Sequence, residues 1–133
     1  MLIDKNKAQE ICKRALSFAK EGQAEVILDQ TAAPLTRIAN NSIHQNVETS
    51  DIAISLRVDL DGRSGRASTN QFDGESLKKL AKQSVNAARA ITGQQDLPPL
   101  MGPQSYREID AFDESSAYME PEERADLVMK AVN

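Results

Sequence analysis

The sequence predicts an α+β fold: an antiparallel β-meander of four to five strands, covered on one face by two amphipathic helices, with a linker and a further C-terminal helix. Three observations lead there. Apolar residues recur at helical spacing near 4–21 and again near 73–91. Between them, RIANNSIHQNVETSDIAISLRVDLDGRSGRAS (residues 37–68) alternates like strands and is broken by dipeptides suited to two-residue turns. A segment rich in proline, QQDLPPLMGPQSY (residues 94–106), then separates this block from an acidic tail.

In the first helix Ala8, Ile11, Cys12, Ala15, Leu16 and Ala19 form one apolar face, while Lys7, Lys13, Arg14 and Lys20 lie mostly elsewhere. Asp4 has the chemistry of an N-cap and Gly22 that of a stop. Cys12 falls on the buried stripe and reads as a packed core thiol. Ala24 to Gln30 is the first expected strand, followed by a connection through Thr31-Ala32-Ala33-Pro34.

Three turns set the rest of the meander. With a turn at Asn40-Asn41, Ile38 faces Ile43 and Arg37 faces His44. A turn at Thr49-Ser50 brings Val47 opposite Ile52 and Ile43 opposite Leu56, and one at Asp61-Gly62 brings Val58 opposite Gly65 and Leu56 opposite Ala67. Every pairing joins apolar or small residues, and a slip of one residue would spoil it. The inner face then holds Ile38, Ile43, Val47, Ile52, Ile54, Leu56 and Val58, with Gly65 and Ala67 leaving room for a helix.

The second helix starts at the Asp73 cap, carries Leu77, Leu80, Ala81, Ser84, Val85, Ala88 and Ile91 on one face, and stops at Thr92-Gly93. Pro121 suits the first position of a third helix with Val128, Met129 and Val132 on its apolar side. The expected organisation is an N-terminal α/β domain over 1–93, a linker and acidic segment over 94–120, and the start of a helix over 121–133. No stop signal precedes Asn133, which fits a fragment leading to a missing C-terminal domain.

Composition narrows the function classes. The 133 residues carry a net charge of −4, few aromatics and no Trp, so one core of Ile, Leu, Val and Ala is expected. An acidic chain with a pI near 5.0 disfavours nonspecific nucleic-acid binding. A single Cys precludes an internal disulfide and favours a cytoplasmic setting. No apolar run approaches a membrane span.

The outer face of the meander collects Arg37, His44, Asn46, Arg57 and Arg66, with Ser55 and Ser68 between them. One reading is the solvated side of an antiparallel sheet. The other is a docking face for a second domain, a partner subunit or an extended peptide, since the guanidinium fork binds carboxylates bidentately.

Catalytic motifs are missing. One His and one Cys cannot supply a zinc site, and His44 with Ser42 or Ser55 makes no recognisable nucleophile motif. Asp59-Leu60-Asp61-Gly62 lacks the ligands of a calcium loop and reads as a turn. Gly62 and Gly65 precede no helix directly and make no phosphate loop. Asp113-Glu114 and Glu122-Glu123 read as solvated or helix-start charges. Neither catalytic residue, metal ligand nor cofactor is therefore expected within this chain.

TRIANNSIHQNVE (residues 36–48), LRVDLDGRSGRASTN (56–70) and ESLKKLAKQSVNAARA (75–90), in that order, resemble the N-terminal domain of the TldD/PmbA family, the "modulator of DNA gyrase" proteins related to zinc metallopeptidases. Residues 37–48 are slightly more similar to the PmbA (TldE) branch. The resemblance, which covers roughly residues 8–92, implies an N-terminal α/β domain ahead of a larger, mainly β C-terminal domain. TldD-type members carry an HExxxH zinc motif in that second domain; PmbA-type members lack it and act as partners. Such pairs form a heterodimeric protease acting on unfolded peptides, including a microcin precursor and an antitoxin.

The implied role is a noncatalytic domain serving assembly and peptide guidance, with zinc confined to the parent protein's C-terminal domain. The implied partners are that domain, a family member in a homo- or heterodimer, and a peptide substrate. The alternative is a nucleic-acid-binding or self-associating module that uses the outer sheet face.

Overall fold

A computed structural model describes residues 2–93, 95–102 and 104–132. The elements run α1 (Lys5–Phe18), β1 (Gln23–Ala39), β2 (Ser42–Leu60), β3 (Arg63–Thr69), α2 (Gly74–Ala90), α3 (Glu114–Ala117) and α4 (Pro121–Val132). The class is the expected α+β, with one antiparallel sheet in the order β1-β2-β3. The contacts divide into two units, Met1–Thr31 with Asp51–Pro103, and Ala32–Ser50 with Gln104–Asn133.

The first unit holds the core. Ile54, Leu56 and Val58 of β2 pack with Ile11 and Ala15 of α1 and with Leu77, Leu80, Ala81 and Val85 of α2. Asp4 caps α1 by accepting from the Lys7 amide at 2.9 Å, and Asp73 caps α2 by accepting from the Ser76 amide at 3.0 Å. The turn at Asp61-Gly62 has positive φ at both residues, +52° and +77°, as a type I′ hairpin requires. It sets the expected register, with Val58 opposite Gly65 and Leu56 opposite Ala67.

Gly65 is where α2 comes closest to the sheet. A Cβ built there would stand 2.1 Å from the Ala88 nitrogen and 2.3 Å from the Ser84 carbonyl oxygen. The fully buried Ser84 hydroxyl lies 2.8 Å from the Leu56 carbonyl oxygen and 3.1 Å from that of Leu80, so its proton serves sheet or helix.

Two side-chain amides tie off the ends of this unit. Gln30 accepts from the Ile3 amide and donates to the Ile3 carbonyl, both at 2.8 Å. Gln95 donates its backbone N–H to the Gly62 carbonyl at 3.0 Å, and its side-chain oxygen accepts from the Ser64 amide at 2.9 Å.

The sheet has three strands among the described residues, which corrects the expectation of four to five. No turn forms at Thr49-Ser50, and β2 runs unbroken through it. A two-residue hairpin needs positive φ, which the β-branched Thr49 resists; the two asparagines at 40–41 adopt it, at +51° and +58°. Nor do residues 31–34 form a connection, because β1 continues through Pro34. As an edge strand, β1 can hold a proline whose missing N–H has no ladder partner to lose.

Without the second turn, the alternation that would bring Ile43 and Val47 onto the core face is gone. Ile38, Ile43 and Val47 are 47%, 38% and 37% exposed, and none joins the core. Two smaller expectations also change. Leu16 is exposed and Cys12 only half-buried, so the packed side of α1 is narrower than its apolar spacing indicated.

In the second unit, the Asn40-Asn41 hairpin end and the tail form one body. Asp113 caps the short α3 by accepting from the Ser116 amide at 2.7 Å. Phe112 and Tyr118 meet edge to face with centroids 6.0 Å apart. As expected, α4 starts at Pro121, and Arg124 donates to the Met119 carbonyl. No helix among the described residues is long and apolar enough to cross a membrane.

Candidate docking face

The five residues expected on the outer face fall into the two units. Arg57 and Arg66 belong to the first, and Arg37, His44 and Asn46 to the second.

In the first unit Arg57 and Arg66 are direct cross-strand partners on β2 and β3. Like charges so placed repel. Glu25 of β1 reaches both, its Oε1 3.8 Å from Arg57 Nε and 3.1 Å from Arg66 Nη2. Arg66 Nη1 also donates to Ser55 Oγ at 3.2 Å. Arg57 Nε is shielded from solvent and finds no hydrogen-bond partner among the described residues, and its side chain is 22% exposed. Two guanidiniums thus share one carboxylate, leaving the trio with a net charge of +1.

Alternation puts Glu25 on the outer side of β1, and the pairing of β1 with β2 brings it to the arginines. In AEVILDQ the alternation sends Ala24, Val26 and Leu28 toward the core, where all three pack. Glu25 is left on the arginine side.

In the second unit Arg37 Nη1 donates to Gln45 Oε1 at 3.4 Å and Thr36 Oγ1 donates to Asn46 Oδ1 at 3.0 Å. His44 is exposed. A cavity of about 200 Å³ in the same unit is bordered by Pro34 and Glu48 of the hairpin and by Tyr118, Pro121 and Arg124 of the tail.

The carboxyls of Asp73 and Asp113 are held below their ordinary values by hydrogen bonds from Ser76 and Ser115 respectively, and that of Glu10 by its bond with Lys7. Burial pushes the Cys12 thiol up, away from the thiolate. Asp59 accepts from the Gly62 amide at 3.1 Å, which is turn chemistry. Among the described residues no group of three His, Cys, Asp or Glu could hold a metal.

Residues 24–88, which span the sheet and α2, match the family described as PmbA/TldA metallopeptidase domain 1. That segment is a first domain of the TldD/PmbA family.

Solved structures share the fold. TldE from Thermococcus kodakarensis superposes with a TM-score of 0.75 at 18% identity, over 92% of this chain and 27% of that one. A Thermotoga maritima protein named as a modulator of a DNA gyrase gives 0.72 at 20% identity, over 93% and 28%. A Bacteroides thetaiotaomicron protein of the same description gives 0.63 at 22% identity, over 96% and 30%. This chain thus spans less than a third of the length of those three. No curated protein sequence matches it significantly.

Proposed function

We propose that this TldD/PmbA first domain is a noncatalytic part of a peptidase system for peptide maturation or antitoxin degradation, serving assembly and peptide guidance. The family match over 24–88 carries the reading, because it falls on the folded core and on the Glu25–Arg57–Arg66 cluster. The C-terminal domain of a longer parent protein is the first partner, and a family member in a homo- or heterodimer is the second. Zinc, where the parent uses it, belongs to an HExxxH motif in that C-terminal domain, and the PmbA (TldE) branch is the better fit. The site of action is the cytoplasm.

Within the domain, Arg37, His44, Asn46, Arg57 and Arg66 are the proposed docking residues. The exposed Ile38, Ile43 and Val47 of the hairpin supply apolar area for assembly. The test is hydrolysis of an unfolded peptide by the purified chain, with and without chelator. No cleavage is expected; chelator-sensitive cleavage overturns the noncatalytic assignment.

A self-associating module is the second reading, favoured by the same exposed hairpin residues. Solution mass of this chain alone tests it: a concentration-dependent dimer is required by the module, and a monomer at all concentrations overturns it.

A further inference from the structure

We infer that the open edge of β3 is a strand-addition site for an extended acidic peptide, with a carboxylate of the peptide seated opposite Arg66. This rests on the peptide-guidance part of the proposed function and names the class of peptide.

The edge is open by topology, since β3 ends the sheet and, among the described residues, only β2 pairs with it. The Ser64 amide points away from β2, because it donates to the Gln95 side chain. Backbone groups on an antiparallel edge alternate in direction, so the N–H and C=O of Arg66 and Ser68 face the same open side. Among the described residues, no backbone hydrogen bond from outside the sheet reaches either. Gln95 already shows how the edge is used, with one amide satisfying its first outward donor. Arg63–Thr69 contains neither proline nor lysine, and the charges it does carry, Arg63 and Arg66, bar cationic strands and admit acidic ones.

Charge selects the occupant. Residues opposite one another on adjacent strands interact most strongly, and Arg66 already faces Arg57 on one side. Their single carboxylate, Glu25, is shared, and Arg57 Nε is without a hydrogen bond. A strand added on the other side of β3 places its own side chain directly across from Arg66. Asp or Glu at that position supplies the second carboxylate the pair lacks, and Lys or Arg would make a third adjacent cation. The main-chain bonds give affinity without regard to sequence, and Arg66 gives the acidic preference.

The test is fluorescence anisotropy of the 133-residue chain with two labelled, end-blocked peptides, TEVEVET and its lysine counterpart TKVKVKT. The expected result is saturable binding of the glutamate peptide and at least about tenfold weaker binding of the lysine peptide. Arg66→Glu should invert that preference. Ser68→Pro removes an outward donor that β2 does not use, and should weaken the glutamate peptide about tenfold with an unchanged far-UV spectrum. Should Ser68→Pro fail to fold, amide exchange of Arg66 and Ser68 in the unmodified chain replaces it; the peptide should slow both.

No saturation by about 1 mM peptide, equal binding of the two peptides, or unslowed exchange at Arg66 and Ser68 overturns the inference. None of these outcomes bears on hydrolysis or on assembly, so the wider functional reading stands or falls separately.

Discussion

Gly65 of β3 and Ala88 of α2 pack backbone against backbone, with no room for a side chain between them. The consequence for stability is direct. Gly65→Ala should destabilise the domain by about 1–3 kcal/mol, the usual cost of overpacking, because the obstacle is backbone and cannot rotate away. Urea denaturation measures it. Gly102→Ala, where a Cβ meets nothing within 4 Å, is the control and should stay within about 0.5 kcal/mol.

Ser84 links the same helix to β2. Replacing it with Ala leaves the Leu56 carbonyl short of a donor in a fully buried site and should cost about 1 kcal/mol. Ser84→Val adds bulk as well, and its denaturation midpoint should fall below that of the Ala variant. A Val variant as stable as the parent would show that the site has slack.

The unbroken course of β2 is testable at Thr49 and Ser50. Within a strand, Ser50→Val should be tolerated to within about 0.5 kcal/mol. Asn41→Val places a β-branched residue at φ +58° and should cost about 1–2 kcal/mol. If thermal melts rank the two the other way, the turn lies at 49–50.

Acid should loosen the start of α2. The Asp73 carboxyl titrates below its ordinary value because Ser76 hydrogen-bonds it. A pKa depressed in the folded state contributes stability that is present above the unfolded pKa of about 3.9 and is lost as pH falls through the folded value. Asp73→Asn, which cannot ionise, should therefore flatten the acid limb of a plot of stability against pH and lose at neutral pH the contribution of the charge.

Glu25→Gln should leave Arg57 and Arg66 facing each other without a countercharge. The pairs are partly exposed, so the loss is at most about 1 kcal/mol, and added salt should recover much of it. Thermal melts at low and high salt would show the difference; a loss independent of salt would point to packing rather than charge.

Local chemistry made the two caps, Asp4 and Asp73, readable from the sequence, and also the turns at Asn40-Asn41 and Asp61-Gly62. In each the side chain or the permissive backbone acts within a few residues. The β2–β3 register followed, since a two-residue turn fixes every pair beyond it. Thr49-Ser50 misled because the residues on either side of it alternate regularly with or without a turn; only a turn would put Val47 and Ile52 on one face, and the continuous β2 sends them to opposite faces. The four-residue α3 leaves no periodic signal. On the candidate face, Arg57 and Arg66 were visible as outward residues, but the role of Glu25 depends on β1 lying beside β2, which alternation alone does not determine.

Gln95 alters where this domain ends. Proline content places a boundary at Gly93, yet the residue that closes the β2–β3 hairpin lies beyond it. A truncation after Gly93 would keep every core side chain and still strip the Ser64 amide and the Gly62 carbonyl of their partners. A cut guided by composition alone would therefore leave the β2–β3 hairpin without its hydrogen-bond clip.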